Sequence, residues 1–228
     1  DSHYPIRYSL ITGKNSNVIQ PRILKTKESQ GKRTKGKAEV FTPSWVCNAQ
    51  NNLVDNAWFG SENIFNREIE KGWETNIEKI KFPDKKNKTW QKYVDEKRLE
   101  ITCGEAPYLV SRYDTVSGEA LELKDRIGML DRKMRVVREN TDSDTEWLKW
   151  SERAFQSVYG FEFQGDSLLI ARENLLASYC DYMEEKLNRH PTEKELVNIA
   201  KIISWNLWQM DGLTYTIPYE EAVEPFKQ

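Results

Sequence analysis

Apolar residues recur at helical spacing in four long segments, and short apolar runs that end in glycine or an acid lie between them. The spacing of three to four residues predicts helices over residues 44–59, 129–158, 166–187 and 191–207. The short runs predict strands within residues 98–104, 159–165 and 203–213. This alternation of strands and helices predicts an α/β domain with a mostly parallel, doubly wound sheet.

Capping signals support two of these helices. Ser44 follows Pro43 and is expected to cap the first helix. Thr192 and Glu195 have the spacing of a capping box, directly after Pro191, and predict the start of the last helix.

Two segments lack a clear apolar period. Residues 1–37 form a polar arm, and residues 14–37 carry eight lysines or arginines against one acid, Glu28. We expect this arm to be a mobile loop that is either solvated or bound to DNA phosphates. Residues 38–228 are predicted to form the folded domain, with a polar, lysine-rich insertion at about residues 60–98 that holds one or two short helices.

Composition narrows the class of protein. The 228 residues carry a formal net charge of −2, which argues against a DNA-binding charge spread over the whole surface but leaves room for a local basic patch. The three cysteines form no paired motif, so neither a disulfide framework nor a zinc site is expected. The absence of a signal-like start and of a long apolar run predicts a cytoplasmic protein that does not enter a membrane. Four tryptophans have a spacing that is typical of a core: Trp147, Trp150, Trp205 and Trp208.

Acidic residues stand at the carboxyl ends of the three predicted strands. They are Glu100, four residues before Gly104, then Glu162, and then Asp211, which precedes Gly212. Ligands of open α/β sheets bind at these strand ends, where a carboxylate can accept bonds from ribose hydroxyls or from an exocyclic amine. The pattern favours an adenosine-containing cofactor, although acids at strand ends occur in many doubly wound proteins.

Four motifs strengthen this interpretation. "AEVFTPSWVCNAQNNLVD", "LEITCGEAPYLV", "YGFEFQGDSLLIARENLL" and "NLWQMDGL" follow one another between residue 38 and about residue 217. In this order they resemble the motifs of the S-adenosylmethionine-dependent methyltransferases that modify the N6 amino group of DNA adenine. The resemblance is greatest to the methylase subunits or fusions of restriction-modification systems. It implies a methyltransferase-type sheet, S-adenosylmethionine as cofactor, DNA as substrate, and a specificity or endonuclease subunit as a possible partner.

The resemblance assigns cofactor contacts to particular residues. Thr42 would bond the methionine carboxylate or amine, and Glu100 the amine, while Gly104 would let the backbone approach. Glu162 would hold the ribose hydroxyls, and Asp211 would accept the adenine N6 hydrogens. The complete implied set is Phe41, Thr42, Pro43, Glu100, Thr102, Cys103, Gly104, Glu162, Phe163, Asp211, Gly212 and Leu213. Within it, Phe163 and Leu213 would pack against adenine; Cys103, taken by itself, is expected to be a packed apolar residue.

The sequence departs from the family pattern in two places. Ala106, preceded by Glu105, replaces the second glycine of the glycine motif. The catalytic Asn-Pro-Pro-Tyr motif, which holds the flipped adenine, does not occur, and Pro218-Tyr219 lacks the preceding Asn-Pro. No catalytic residue is therefore assigned, and the chain is expected to be either a truncated enzyme or a degenerate relative that binds cofactor without methyl transfer.

Two other classes of function remain open. The altered glycine motif and the missing catalytic motif are compatible with a non-catalytic scaffold that has a methyltransferase-like fold. Pro83-Asp84 and Asp95-Glu96-Lys97 superficially match a magnesium-dependent nuclease motif. Such a nuclease would need these acids on adjacent strands.

Overall fold

The structure, a computed structural model, describes residues 7–37 and 41–218. Its helices are α1 (Tyr8–Ile11), α2 (Lys27–Lys37), α3 (Ser44–Phe59), α4 (Trp90–Asp95), α5 (Met129–Asn140), α6 (Asp144–Gln156), α7 (Gly165–Leu187) and α8 (Glu193–Asn206). Its strands are β1 (Asn66–Ile69), β2 (Gly72–Thr75), β3 (Arg98–Ile101), β4 (Val158–Glu162) and β5 (Leu207–Gln209). The predictions that fall on residues 1–6, 38–40 and 219–228 lie outside the described residues.

The central sheet is parallel and follows the order β3-β4-β5. Helices α5 and α6 connect β3 to β4, and α7 and α8 connect β4 to β5. Glu100 stands opposite Gly160, which in turn stands opposite Leu207. The predicted α/β class with a parallel sheet is therefore confirmed. The three strands are neighbours in chain order, so within the described residues the strand order does not reverse as it does in a complete doubly wound sheet.

The two faces of this sheet are covered unequally. Val158 and Leu207 point into the core, where α7 and α8 contact β4 and β5. On the opposite face Leu99, Ile101 and Trp208 remain 45%, 46% and 45% exposed. Since alternate residues of a strand point to opposite faces, one face is packed while the other is partly open to solvent.

The largest buried side chain is Trp147, on α6. It stacks on Tyr179 of α7 with ring centroids 6.0 Å apart, and Phe155 meets the same tyrosine edge-on. The core position predicted for Trp147 is confirmed. For Trp205 and Trp208 it is wrong: they are 70% and 45% exposed, because they lie at the end of α8 and on the open face of the sheet.

The basic arm is not the loop that its polarity predicts. Residues Lys27–Lys37 form α2, and Arg33 on this helix pairs with Asp166 at 2.9 Å. The backbone N–H of Arg22 also donates to Glu105 at 2.6 Å. These contacts join the arm to residues far along the chain, and tertiary contacts of this kind can override a weak local helix propensity.

The insertion contains a hairpin that the sequence analysis missed. Strands β1 and β2 pair in antiparallel register with Lys71 at the turn, where φ is +50°. One short helix, α4, confirms part of the prediction. The apolar pattern does not predict the hairpin, because its two four-residue strands contain only Ile69 and Trp73 as large apolar residues and offer almost no apolar alternation.

The helix caps are confirmed at one of the two predicted positions. Thr192 accepts from the backbone N–H of Glu195, whose carboxylate accepts in return, so the capping box is present. Ser44 does not cap α3, because it is the first helical residue; its backbone N–H donates to the carboxylate of Asp114 at 2.6 Å. An acid 70 residues away thus supplies the cap.

Gly128 permits α5 to begin directly against the loop that follows β3. A Cβ at this position would lie 2.3 Å from the carbonyl oxygen of Leu109. Gly128→Ala should therefore lower the free energy of unfolding by about 2 kcal/mol, the scale of overpacking in a buried site. Urea denaturation measures this change. Gly31→Ala in α2 is the matched control, since nothing lies within 4 Å of its added Cβ. If the Gly128→Ala variant were as stable as the control variant, the approach of Leu109 would not be close.

Candidate functional site

The loop after β3 has an unusual backbone. Thr102, Gly104 and Ala106 have φ values of +54°, +55° and +63°. This left-handed region is easy for glycine, but it costs other residues about 1–2 kcal/mol because Cβ approaches a carbonyl oxygen. Strained residues of this kind persist where surrounding contacts hold them, and they cluster at functional sites. The strained loop therefore identifies this edge of the sheet as the place of a candidate functional site.

Glu162 ties the end of β4 to this loop. One carboxylate oxygen accepts from the backbone N–H of Gly104 at 2.7 Å, and the other accepts from the N–H of Gln164 at 2.8 Å. The side chain is only 8% exposed. Charge-assisted bonds to backbone N–H groups are stronger than neutral ones, so this carboxylate fixes the distance between the two strand ends.

Glu100 fixes the other end of the same loop. Its carboxylate accepts from the N–H of Leu109 at 3.2 Å and, more weakly, from that of Tyr108 at 3.4 Å. Burial raises the pKa of Glu100 well above its usual value; the two backbone N–H groups act in the opposite direction, and the charge of Glu162 adds to the increase. Glu100 therefore holds its proton to a higher pH than an exposed glutamate does.

Phe41 closes over the loop from the side of α3. A Cβ built on Gly104 would lie 3.3 Å from the Phe41 ring, which shows how near the ring is to the backbone. Pro43 precedes α3 with an extended backbone, and the carbonyl of Thr42 accepts from the hydroxyl of Thr115 at 3.1 Å. The structure therefore brings the start of α3 and the glycine loop together.

An open groove runs between α3 and the end of β3. It encloses about 900 Å³, including the part open to solvent. Thr42, Glu100 and Thr102 contribute to its lining, beside Asn51 and Tyr108. The groove therefore offers polar partners for a small zwitterionic ligand. They are two hydroxyl groups, an amide, a phenol and a carboxyl group.

The Asp211 turn covers the tip of the sheet. One oxygen of Asp211 accepts from the N–H groups of Leu213 and Thr214 at 2.8 and 3.1 Å, and these bonds lower its pKa. A Cβ on Gly212 would lie 2.3 Å from Ile101, so the turn packs against the end of β3. Leu213 is 82% exposed. The turn is therefore close to the loop, and Asp211 helps to shape it.

The remaining predicted residues divide into exposed and buried ones. Phe163 is 43% exposed beside Glu162 and presents its ring to solvent. The side chain of Cys103 is buried, and burial raises the pKa of its thiol well above the usual value. Its sulfur lies 3.1 Å from where a Cβ on Gly160 would stand. Cys103 is therefore a packing residue, as its pattern indicated, and only its backbone belongs to the loop.

Glu105, one of the departures from the family pattern, is engaged elsewhere. Its carboxylate accepts from the backbone N–H of Arg22 and from the hydroxyl of Tyr113, each at 2.6 Å. The side chain is 2% exposed and does not line the groove. The carboxylate of Glu105 is therefore hydrogen-bonded to the arm and to Tyr113, and its negative charge does not face the groove.

Sequence reasoning missed Asn51, which supports the groove from α3. Its amide donates to the carbonyls of Tyr108 and Ile127 at 3.1 and 3.0 Å, and the residue is 2% exposed. These bonds join α3 to the loop and to the start of α5. The helical spacing gave no signal for it: the asparagines lie on the buried face of α3, whereas Leu53 and Val54, on the face that the apolar spacing predicts to be buried, are 69% and 41% exposed.

The nuclease motif does not have the geometry that its chemistry requires. Asp95 lies in α4 and accepts two bonds from the Arg153 guanidinium at 2.8 and 2.7 Å. Asp84 lies in a bend between elements. The two acids are therefore not on adjacent strands, and across residues 7–37 and 41–218 no group of three or more potential metal ligands is found.

Comparisons with known proteins add no relative. No protein-family model, no curated protein and no solved structure matches this chain. Among the helices of the described residues, none has both the length and the apolar character needed to cross a lipid bilayer.

The raised pKa of Glu100 predicts a pH dependence of stability. Because the folded protein holds a proton that the unfolded chain releases near pH 4.5, this contribution is complete below that pH and is lost as pH rises through the folded pKa. Denaturant unfolding at a series of pH values should show this decline in the wild type. Glu100→Gln should flatten it, while Glu28→Gln, an exposed acid on α2, should leave it unchanged. If the free energy of unfolding depended on pH in the same way in all three proteins, the raised pKa would not belong to Glu100.

The left-handed backbone of Thr102 predicts a stabilising substitution. Thr102→Gly should raise the free energy of unfolding by about 1 kcal/mol, because glycine has no Cβ to strain. Lys71→Gly, at the hairpin turn, should behave in the same way. The control is Thr214→Gly, an exposed threonine without a left-handed backbone, which should lose about 0.5 kcal/mol or more to chain entropy. Thermal or urea unfolding of the three variants measures how each substitution changes the free energy of unfolding. If Thr102→Gly destabilised the protein, the backbone at Thr102 would not be strained.

Proposed function

We propose that this chain is the S-adenosylmethionine-binding part of a DNA adenine-N6 methyltransferase of a restriction-modification system. The observation that carries the proposal is the groove beside β3, where Thr42 and Glu100 lie at one end of a loop whose Gly104 is bound to Glu162. The motifs that contribute these residues are far apart in the sequence and belong to one family pattern.

The groove fits the methionine part of the cofactor. The ligand's ammonium group needs acceptors and its carboxylate needs donors; Glu100 can accept, and the hydroxyls of Thr42 and Thr102 can do both. A cation beside Glu100 would also lower its pKa, since an opposite charge favours the ionised carboxylate. In the pH range between the pKa values of the free and the bound state, binding would therefore release a proton from the buried Glu100, which gives the proposal a second observable.

The ribose and adenine would lie along the neighbouring strand ends. In this arrangement Glu162 exchanges one of its backbone partners for ribose hydroxyls, and the exposed Phe163 ring packs against adenine. As part of the same proposal, β3 to β5 form one half of a doubly wound sheet, and the outer edge of β3 is the point at which the strand order reverses. Ligands of such sheets bind beside that point.

DNA would approach from the side of the basic arm. Lys27, Lys32 and Lys35 are exposed on α2, and Lys32 pairs with the neighbouring Glu28, at 2.6 Å. Exposed lysines on one helix provide sequence-independent affinity for phosphates. The catalytic Asn-Pro-Pro-Tyr motif does not occur in these 228 residues, so we propose cofactor binding without methyl transfer for this chain by itself.

A specific observation favours a second candidate, a non-catalytic scaffold. Both oxygens of Glu162 already accept backbone hydrogen bonds, and Asp211 accepts two within its own turn. Carboxylates used in this way hold the fold together without any ligand. In a scaffold these residues would be needed for stability alone.

Isothermal titration calorimetry with S-adenosylmethionine tests the proposal. The wild type should bind, and the apparent enthalpy should change with the ionisation enthalpy of the buffer because a proton is released. Glu100→Gln should remove this buffer dependence. Glu162→Gln should weaken binding about tenfold or more, since a buried hydrogen bond to a charged group contributes about 1.5–3 kcal/mol.

Asp95→Asn is the matched control, because it removes a carboxylate that pairs with Arg153 in an ion pair outside the groove lining. This variant should bind as the wild type does. Circular dichroism establishes that each variant is folded before titration. The absence of heat at millimolar cofactor with folded wild-type protein would reject the proposal and favour the scaffold.

A further inference from the structure

A second cavity lies between the β1–β2 hairpin, the segment before α5, and α5 itself. It has a volume of about 140 Å³, several times the roughly 30 Å³ that one water molecule occupies in the liquid. Its lining shares no residue with the groove beside β3. Five cationic side chains and one carboxylate, Asp131, line it; the cations are Lys124, Arg126, Arg132, Arg135 and Arg138.

The carboxylates in direct ion pairs with these arginines lie outside the lining, whereas Asp131 within it acts on Arg126 through its charge. Asp181 pairs with Arg126 at 2.7 Å, and Asp55 pairs with Arg132 at 2.7 Å. Neither acid is part of the cavity wall, and the same holds for the partners of the other two arginines. The wall is therefore predominantly positive, whereas the compensating charges stand behind it.

Asp131, the one acid in the wall, has its hydrogen-bonding capacity in use. One oxygen accepts from the N–H and the hydroxyl of Ser111 and from the N–H of Gly128, at 2.8 to 3.0 Å. The other oxygen accepts from the hydroxyl of Tyr182 at 2.8 Å. Asp131 thus serves the start of α5, and its charge acts on Arg126 without a hydrogen bond between the two side chains.

Arg126 has donors that nothing in the described residues satisfies. Its side chain is 8% exposed, and its Nη2 atom donates to Asp181. Its Nε and Nη1 atoms are buried without a hydrogen-bond partner, and so is the Nε of Arg132. A buried donor without an acceptor destabilises the protein, and the effect is larger when the donor carries charge. These atoms have almost no accessible surface, and an acceptor that reached them from the cavity would remove this destabilisation.

The guanidinium groups are also held in place by aromatic rings. Arg126 lies over the ring of Tyr182 at 5.9 Å, and Arg132 lies over that of Phe65 at 5.2 Å. Planar guanidinium groups with fixed orientation match the oxygens of a phosphate group, to which they donate in pairs. Two such groups in one wall are consequently arranged before any ligand arrives.

We propose that this cavity binds a phosphate group, with Arg126 as its principal donor and Arg132, Arg135, Arg138 and Lys124 as the surrounding positive wall. The phosphate is either a free ion or the terminal phosphate of a nucleotide, since the space accepts one tetrahedral anion. The site is independent of the function proposed for the groove, because the two linings have no residue in common.

Thermal unfolding and calorimetry of the full chain with inorganic phosphate test the proposal, against potassium chloride at equal ionic strength. Phosphate should raise the melting temperature of the wild type in a saturable way, and chloride should not. Arg126→Gln should raise the dissociation constant for phosphate tenfold or more. Lys124→Gln, an exposed position that should fold normally, should raise it two- to threefold.

Arg112→Gln is the matched control. Arg112 donates to the same Asp181 at 3.1 Å but does not line the cavity, so this variant loses a comparable ion pair without changing the site. It should bind phosphate as the wild type does. Adenosine 5′-monophosphate, titrated in parallel, distinguishes the source: tighter binding than phosphate identifies a nucleotide, and equal binding identifies the free ion.

Two results would overturn the proposal. The first is a folded wild-type protein that responds to phosphate and to adenosine 5′-monophosphate no more than to chloride. The second is phosphate affinity that is the same in Arg126→Gln, Lys124→Gln and Arg112→Gln, because binding would then occur elsewhere on the surface.

Discussion

Two buried carboxylates hold the loop that follows β3, and the rest of the candidate site depends on them. Glu162 bonds Gly104 near the beginning of the loop, and Glu100 bonds Leu109 at its end. The backbone of this loop is left-handed at Thr102, Gly104 and Ala106, and strain of this kind persists where surrounding contacts hold it. The start of α3 and the start of α5 pack against the segment fixed in this way, and the Asp211 turn packs against the end of β3 just before it.

This arrangement explains why the acids lie where they do. Parallel strands end at one edge of the sheet, so a carboxylate on β4 can reach the loop that leaves β3. The same carboxylates that organise the loop are the ones that a cofactor would use. A ligand that binds here therefore exchanges protein hydrogen bonds for its own, and its affinity reflects only the difference between the two sets.

The sequence predicted the parts of the fold that depend on local apolar periodicity. Helix α3, the Thr192 capping box and the three parallel strands follow from side-chain spacing alone. It did not predict α2, because that helix is supported by the pairing of Arg33 with Asp166, which no local pattern reveals. At the candidate site, the sequence singled out the acids and Gly104, and their roles toward a cofactor stay predictions. The supporting amide of Asn51 was missed because a buried asparagine is satisfied by carbonyls that only the folded chain brings to it.

The central claim is that the groove beside β3 receives S-adenosylmethionine. Amide resonances measured by ¹H–¹⁵N correlation spectroscopy during a titration with this molecule test it residue by residue. The account predicts saturable shifts for the N–H groups of Gly104, Leu109 and Gln164, whose acceptors are Glu162 and Glu100, and no shifts for those around Arg126. Unchanged resonances for those three residues at millimolar concentration would contradict it.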